Sequence, residues 1–432
     1  MGNNILARKA LLLVTGSIWI LSSLPALADE QILSLPKVVE YSLQHNSDLK
    51  SFREEKGIFD AGRLKAGLLP NPTLDLEAGT GALTGSDAES TLSIGISQEF
   101  LLAGKRSKRL AVAERDLDLY KYQLADKERL IIEEVKTLFC DVILAEQRLT
   151  LADRSIALNR QLWDISKERL AAGDIAELEL NLVKIELARS EVSRIDVAKA
   201  LRQNQEKLSA IAGLPAGTQY PTTGTLQSTS TLTRALAELK QLALAQRPDM
   251  KALKTERERG EAGVRLARAE SVPNLTVGLS AWRDTRSMKI GGLEGTDKAY
   301  TIMMKLSMPI PLFDRNQAGV QEARARLSSA ESRLSSISRN IEREVETAYA
   351  SYLSSEKILS LYKTDIIPQL EENLNLTREA WRLGELGILT VIQEQKKFFE
   401  VSDNYLMALY NRQTALVKLD SAVGTELNGG VE

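Results

Sequence analysis

The sequence predicts a mainly helical fold with a small β part, arranged as two tandem structural repeats. Apolar residues recur at strict intervals of seven over two very long stretches, which is the period of a left-handed supercoil. The second stretch follows the first by about 210 residues and has similar breaks and end motifs. A short region with a period of two precedes each stretch. The chain therefore combines long coiled helices with a few strands.

The composition of the 432-residue chain excludes several classes of protein. It has one histidine and one cysteine, which excludes a zinc finger, a Cys–His nucleophile pair and a disulfide framework. The formal charge is −2, so no basic surface points to nucleic acid. No catalytic triad, phosphate-binding loop or paired catalytic carboxylates stand out, so the sequence predicts a protein that is not an enzyme and uses no cofactor or metal.

Residues 1–28 have the pattern of a signal peptide. Two basic residues precede an apolar run over 11–24, and Ala-Leu-Ala at 26–28 is a typical cleavage site. We expect the mature chain to begin at Asp29, with no cysteine there to carry a lipid anchor. No other window has 18 consecutive apolar residues, so insertion into a membrane would have to use strands.

Repeat 1 is expected over residues 29–213. It begins with a helix and continues with a strand hairpin over 72–100, where apolar and polar residues alternate. A long helical hairpin over 104–213 follows. Its first helix has no Gly or Pro between positions 105 and 172, and such a helix spans on the order of 100 Å.

A linker or equatorial segment rich in Pro, Gly, Thr and Ser is expected over 214–235. Repeat 2 then covers 236–424. Its parts are a helix, a strand hairpin over 274–309 and a long helical hairpin over 314–424, and a C-terminal tail covers 425–432.

The four predicted strands constrain how the chain can assemble. Each has about 8–11 residues, the length that a tilted strand needs to cross a bilayer. Polar loops are expected between them, over 81–90 and 283–298. Four strands cannot close a barrel, and open edges in lipid cost several kcal/mol per unpaired group. Strands that span a membrane would require several protomers to share one barrel, and three protomers with twelve strands are the smallest symmetric arrangement with a water-filled lumen. Alternation alone also fits a soluble sheet with one wet face.

Several short motifs in the connections are distinctive. Gln-Glu-Phe at 98–100 is followed by Gly-Lys-Arg at 104–106, and Met-Pro-Ile-Pro-Leu-Phe-Asp-Arg-Asn-Gln-Ala-Gly occupies 308–319. Arg-Leu-x-x-Gly at 169–173 and Arg-Leu-Gly at 382–384 mark the ends of the first helices of the two hairpins. With the tandem repeat, these motifs resemble the TolC family of outer-membrane efflux ducts, and most closely its heavy-metal branch of the Czc and Cus type.

The resemblance implies a trimeric duct in the cell outer membrane. Four strands per protomer would form a shared 12-stranded β-barrel, joined to a long coiled-coil α-helical barrel in the periplasm. The implied function is passive export of heavy-metal cations from the periplasm or cytoplasm, with a periplasmic adaptor (a membrane fusion protein) and an inner-membrane RND pump as partners.

Two alternative functions stay open. A duct for drugs or other organic compounds, or for type I secretion, belongs to the same class. An exported coiled-coil adaptor or interaction protein belongs to another class, although the two helical hairpins in tandem argue against an adaptor with a single hairpin.

The candidate site residues fall into four sets. By the resemblance, adaptor-docking hairpin tips comprise Arg169, Leu170, Gly173, Arg382, Leu383 and Gly384. The periplasmic entrance or gate comprises Glu177, Glu179, Thr390, Gln393 and Glu394. The barrel lumen is expected to contain Asp75, Glu77 and Lys305. The strand-to-helix turns contain Gly104, Pro309, Pro311 and Asp314.

Local chemistry gives some of these residues structural roles as well. Gly173 and Gly384 suit left-handed helix caps, and Asp314 is expected to cap the N-terminus of the following helix. Thr390 and Gln393 stand where similar ducts have acidic gate residues, which is a departure from the family pattern. A solvated helix face is the alternative interpretation of the three glutamates.

Overall fold

The computed structural model describes residues 33–215, 220–226 and 232–427. The predicted signal peptide over 1–28 lies outside the described residues, as do parts of the predicted linker and tail. Within the described part, no helix combines the length and hydrophobicity that a membrane span requires.

The fold is mainly helical with a small sheet, as predicted. The helices are α1 Leu35–His45, α2 Ser47–Glu54, α3 Lys56–Gly67, α4 Lys105–Ala172, α5 Glu177–Ala212, α6 Leu236–Gln246, α7 Pro248–Glu270, α8 Gln317–Leu361, α9 Ile367–Arg382 and α10 Ile388–Val423. The strands are β1 Leu33–Ser34, β2 Thr73–Thr80, β3 Ser90–Phe100, β4 Thr222–Thr223, β5 Leu275–Ile290 and β6 Leu293–Ser307.

The two strand hairpins join into one four-stranded antiparallel sheet with the order β2-β3-β5-β6. The strands β3 and β5 pair along their length, from Ser90 opposite Thr285 to Phe100 opposite Leu275. The hairpins of the two repeats are therefore neighbours, and β2 and β6 form the edges of the sheet. A minor parallel pair, β1 with β4, lies elsewhere.

The second hairpin is longer than the sequence pattern indicated. The prediction of a polar loop over 283–298 was wrong, because β5 continues to Ile290 and β6 begins at Leu293. Gly291 and Gly292 form the turn with φ of 58° and 88°, the left-handed geometry of a tight two-residue hairpin. Residues 286–290 pair only with β6, so this end of the hairpin projects beyond β3.

The long helices form a layer in which α4 is central. This helix runs unbroken for 68 residues, and α5 returns along it. In the second repeat, α8 is followed by a π-helical turn over Tyr362–Ile366 before α9 begins. Pro368 at the start of α9 has no N–H to continue the regular ladder, which accounts for a break at this point.

Corresponding joints close the two repeats. Asn46 separates α1 from α2, and its Nδ2 donates to the Ile211 carbonyl in the last turn of α5 at 2.8 Å. Arg247 separates α6 from α7, and its Nη1 donates to the Ala422 carbonyl in the last turn of α10 at 3.1 Å. In each repeat, a side chain at the joint thus satisfies a carbonyl that the end of a helix leaves free.

Candidate channel and docking surfaces

The sheet has one polar face. Across the sheet from Asp75 on β2 lie Gly95 on β3, Ser280 on β5 and Met303 on β6. Across from Glu77 on β2 lie Ser93 on β3 and Trp282 on β5. Lys305 belongs to the same face, opposite Gly278. The three predicted lumen residues, Asp75, Glu77 and Lys305, therefore share a face, and Ser97 Oγ donates to Asp75 Oδ2 at 3.0 Å.

The opposite face of the sheet is apolar and exposed in the protomer. Alternation puts one set of large side chains there, and each is about half exposed or more. This set comprises Leu74, Leu76, Leu92, Ile94, Ile96, Leu279, Ile302, Met304 and Leu306. A contiguous apolar surface of this kind marks an interaction with a membrane or another protein.

A close approach of strands explains a glycine on the polar face. A Cβ added at Gly95 would come within 3.0 Å of the Ser280 Cβ and 3.4 Å of the Leu279 carbonyl oxygen. A larger residue would fit only if the neighbouring strand shifted by a few tenths of an ångström, which favours glycine at this position.

The predicted strand-to-helix turns contain a correction. Asp314 does not cap α8, because the helix begins two residues later than expected, with Asn316 at its N-terminus. Asp314 Oδ1 instead accepts from the Asn316 N–H at 2.8 Å and shapes the turn itself. Pro309 and Pro311 lie between the end of β6 and this turn.

Gly104 and Asn316 occupy equivalent places in the two repeats. Each precedes the first residue of a long helix in the left-handed conformation, with φ of 65° and 55°. Asparagine is among the few residues other than glycine that adopt this conformation readily. Asn316 also donates from Nδ2 to the Ala267 carbonyl at 2.8 Å, which attaches the turn to α7.

The bases of the two strand hairpins are joined by a chain of hydrogen bonds. The Nζ of Lys105, a buried residue, donates to Asn274 Oδ1 at 2.5 Å, and Asn274 Nδ2 donates to Glu99 Oε1 at 2.7 Å. Sequence reasoning used the motifs around Glu99 and Lys105 only for a resemblance and missed this role. No local pattern indicates this role, because the pairing of β3 with β5 brings Asn274 to Glu99 and Lys105.

The hairpin tips have identical caps. Gly173 and Gly384 are left-handed with φ of 82° and 83°. The N–H groups of Asp174 and Glu385 donate to carbonyls five residues earlier, both at 2.9 Å, and each glycine N–H donates three residues back at 3.0 Å. This is the Schellman arrangement, and it closes the last turn of each helix.

Arg169 connects the two tips. Its Nη1 donates to the Trp381 carbonyl at 3.1 Å, and its guanidinium lies 5.4 Å from the centre of the Trp381 ring. Trp381 is buried in an apolar cluster with Leu162 and Val183. This predicted docking residue therefore has a contact within the protomer, which sequence reasoning missed.

The other predicted tip residues are more accessible. Leu383 and Arg382 are exposed, and Arg382 pairs with Glu379 on its own helix at 3.3 Å. Leu170 is half-buried. Among the predicted tip residues, Leu383 is an exposed large apolar side chain.

The predicted entrance residues lie in the first two turns of α5 and α10. Glu177, Thr390 and Gln393 are exposed, while Glu179 and Glu394 are half-buried. Farther along these helices, Lys396 Nζ lies 2.8 Å from Glu186 Oε2 and links α10 to α5. Among the described residues, no group of three or more His, Cys, Asp or Glu side chains is arranged to hold a metal ion.

Comparisons with known proteins match most of the chain. The family described as "Outer membrane efflux protein" matches residues 40–214 and 239–425. The cobalt-zinc-cadmium resistance protein CzcC of Cupriavidus metallidurans is 26% identical over 392 residues, covering 91% of this chain and 90% of that protein. The cation efflux system protein CusC of Escherichia coli O157:H7 is 25% identical, covering 92% and 86%. A crystal structure of CusC has a TM-score of 0.75 at 18% identity and covers 90% of this chain and 92% of that one.

Proposed function

We propose a function from one premise, that this chain belongs to the outer membrane efflux protein family. The protein is the passive outer-membrane duct of a three-component system that exports heavy-metal cations. It catalyses no reaction, and an inner-membrane RND pump supplies the energy. A periplasmic adaptor connects the pump to the duct.

The two-faced sheet is the observation that carries this proposal. Its apolar face is exposed and its two edge strands, β2 and β6, have unpaired outer sides within the protomer. Lipid would cover the apolar face, but the unpaired edges are too costly to leave in a bilayer. Three protomers that pair β6 of one with β2 of the next close a 12-stranded barrel with the polar face inside.

We propose heavy-metal cations as the cargo from the names of two relatives and from the charged side chains on the polar face of the sheet. The names of CzcC and CusC refer to cobalt-zinc-cadmium resistance and cation efflux. In a trimer, Asp75 and Glu77 would each occur three times around the lumen and attract cations, while Lys305 would offset part of that field. Selection among metals would belong to the pump.

The hairpin tips are the proposed docking surface for the adaptor. Leu383 and Arg382 offer exposed contacts next to the left-handed Gly384. The proposed entrance is surrounded by Glu177, Glu179, Thr390, Gln393 and Glu394. The Thr390 hydroxyl and the Gln393 amide attract cations more weakly there than carboxylates would.

The first experiment is a mass measurement and single-particle imaging of the protein extracted from the outer membrane in detergent. We expect a trimer with a detergent belt at one end and an axial channel. A monomer that stays in aqueous solution without a belt would overturn the duct and favour an exported coiled-coil partner protein.

The cargo requires a separate test in cells. Deletion of the chain should raise sensitivity to cobalt, zinc, cadmium, nickel, copper or silver and increase accumulation of that metal. Sensitivity to organic compounds alone, with unchanged metal accumulation, would replace the metal duct with the organic-compound duct.

Docking at the tips can be tested with Gly384→Phe. The substitution puts a bulky side chain on the tip surface, so efflux should be lost while the trimer assembles. Gly85→Phe is the matched control, because Gly85 is also left-handed with open space around it but lies in the loop between β2 and β3. Unchanged efflux in Gly384→Phe would reject the assignment.

A further inference from the structure

The apolar face of the sheet ends in a basic border on the side away from the long helices. Its last wholly apolar row across the four strands comprises Leu76, Ile94, Ala281 and Ile302. In the next row of the same face, Arg283 of β5 lies opposite Tyr300 of β6, since residues two apart on a strand share a face. In the row after that, Lys298 of β6 lies opposite Thr285. Two basic side chains and a tyrosine therefore border the apolar face on this hairpin.

Arg283 lies at the height where a lipid-facing band ends. The strand β5 begins at Leu275, shortly after the end of α7, and Arg283 follows eight residues later. At about 3.4 Å per residue and a strand tilt of about 40°, this separation corresponds to roughly 20 Å of height. The lipid-facing band of a transmembrane β-barrel is about 25 Å tall and is bordered by aromatic residues. Tyr300, which is 76% exposed, suits that border.

The two basic side chains are close neighbours. Because Arg283 pairs with Tyr300 and Thr285 pairs with Lys298, the two basic residues are diagonal neighbours on adjacent strands, with Cα atoms about 7–8 Å apart. Both residues are exposed, and neither side chain forms an ion pair with another residue that the structure describes. One anionic group can therefore be reached by both side chains.

The acidic residues of this hairpin leave the border positively charged. Asp284 and Asp297 belong to the polar face, because their neighbours along the strands, Arg283 and Lys298, belong to the apolar one. Glu294 has the same parity as Lys298 but lies four residues further along β6, towards the turn. The outward side of the hairpin thus has a net positive charge at the edge of the apolar face.

A phosphorylated lipid matches the chemistry of this border. An arginine fork donates two parallel hydrogen bonds to a phosphate, and a lysine adds a compact charge. Leu92, which lies opposite Arg283 on β3 and is 48% exposed, continues the apolar face beside the two charges. The aliphatic part of a long basic side chain can lie on such a surface while its charged group reaches the lipid headgroups. An anion without acyl chains would leave the adjoining apolar surface uncovered.

We propose that Arg283 and Lys298 of each copy bind a phosphate of the glycolipid in the outer leaflet of the membrane, with the acyl chains on the adjoining apolar face. The long helices leave the sheet at its other end, so the border belongs to the leaflet far from the periplasm. The inference rests on the proposed barrel and names the lipid that the outer edge of its apolar face binds.

Lipid binding to the purified full-length trimer tests this site. The trimer is washed free of lipid in detergent and titrated with diphosphoryl lipid A, and bound lipid is counted by native mass spectrometry. We expect Arg283→Gln/Lys298→Gln to weaken binding by about tenfold or more, because two charge-assisted contacts are lost. Arg286→Gln/Lys305→Gln is the matched control, since it removes one arginine and one lysine from the same two strands on the polar face. Its affinity should stay within about twofold of the unmodified protein.

Two further probes need no variant. Lipid A without its phosphates should bind the unmodified trimer about tenfold more weakly than diphosphoryl lipid A does. Phosphatidylglycerol represents the other source of lipid phosphate, and we expect it to bind more weakly as well. Equal affinity for phosphatidylglycerol would overturn the assignment to the outer-leaflet glycolipid, and equal affinity for dephosphorylated lipid A would overturn the phosphate site.

The acidic loop between β2 and β3 supplies the competing partner. In a closed barrel, β2 of the next copy lies beside β6, and its loop contains Asp87 and Glu89. If this loop pairs with Lys298, then Lys298→Gln lowers the unfolding temperature of the trimer and leaves lipid A affinity unchanged, which would overturn the lipid site. Unchanged affinity in Arg283→Gln/Lys298→Gln would overturn it too while leaving the duct in place. Absence of a trimer in the unmodified protein would instead overturn the duct.

Discussion

A single glycine at the joint of each repeat terminates the second helix of its helical hairpin, α5 or α10. Gly213 and Gly424 both terminate such helices in the left-handed conformation, with φ of 73° and 80°. A Cβ at Gly213 would lie 2.6 Å from the His45 carbonyl oxygen, and one at Gly424 would lie 3.0 Å from Arg247 Cγ. The Arg247 Cα would lie 3.1 Å from the Cβ at Gly424, so both positions meet backbone, but the contact at Gly213 is closer and Gly213 is the more restricted position.

We expect Gly213→Ala to destabilise the protein by about 2 kcal/mol or more, because it combines left-handed strain with a backbone clash. The measurement is the thermal unfolding midpoint in detergent. Gly62→Ala is the control, since Gly62 lies within α3 with open space around it and should tolerate alanine. Equal midpoints for the two variants would contradict the assigned clash.

A second residue-scale prediction concerns pH. Burial raises the pKa of Asp420 from 3.8 to about 6, and Glu426 adds to the rise, while the Leu427 N–H and Lys136 oppose it. The folded chain therefore binds this proton more tightly than the unfolded chain does. The stability contributed by the protonated carboxyl is present below about pH 4 and is lost as the pH rises through about 6.

We expect Asp420→Asn to unfold at a higher temperature than the unmodified protein at pH 8, because the amide stays neutral and its oxygen still accepts from Leu427. The difference should shrink as the pH is lowered towards 4. A difference that stays constant across this range would show that ionisation of Asp420 is not its cause.

At the scale of elements, the tips behave as a connected pair. Removing the Arg169 guanidinium takes away both the hydrogen bond to Trp381 and the stacking on its ring. Pulsed EPR between spin labels at the exposed positions 172 and 385 should give a broader distance distribution in Arg169→Gln than in the unmodified chain. Labelled chains are diluted with unlabelled ones so that distances within one protomer dominate.

Arg382→Gln is the matched control for this prediction. Arg382 is also an arginine at a tip, but its ion pair with Glu379 stays within one helix and is exposed. Its distance distribution should match that of the unmodified chain. Equal broadening in both variants would mean that the Arg169–Trp381 contact does not hold the tips together.

The sequence patterns predicted elements wherever the two faces of a helix or strand differ in polarity. The heptad rows predicted α4 because a long helix with one packed side needs that period. Alternation predicted the strands up to Trp282, where the two faces differ. Beyond that point, β5 and β6 continue with polar residues such as Arg286 and Asp297 on a projecting hairpin, so alternation weakens and a loop was expected instead.

The candidate sites could be predicted only in part from the sequence. Alternation grouped Asp75, Glu77 and Lys305 on one face because strand parity is a local property. The contact between Arg169 and Trp381 depends on the packing of helices from different repeats, which no local pattern encodes. The helix α8 begins at Gln317 because Asn316 is left-handed, and the sequence alone does not show which asparagine adopts that conformation.

For the whole molecule, the proposed barrel requires that the apolar face of the sheet contact lipid and the polar face contact water. Ile302 lies on the apolar face and the adjacent Thr301 lies on the polar face. In a barrel, Ile302→Lys would put a charge into lipid at a cost of about 2–4 kcal/mol near the bilayer midplane, while Thr301→Lys would face water. We expect only Ile302→Lys to reduce the amount of folded trimer in isolated outer membranes, measured on gels of unheated samples. Equal loss from both variants would contradict the assigned orientation of the sheet.

In the proposed barrel, the projecting end of the second strand hairpin would lie on the outer surface of the cell. Residues 286–297 extend beyond β3, and the turn at Gly291 and Gly292 is a two-residue connection without further structure. In the proposed barrel this turn is at the end opposite the helices, in the extracellular medium. A short epitope inserted between the two glycines would be within reach of an antibody on intact cells. The same exposure would put this turn within reach of bacteriophages.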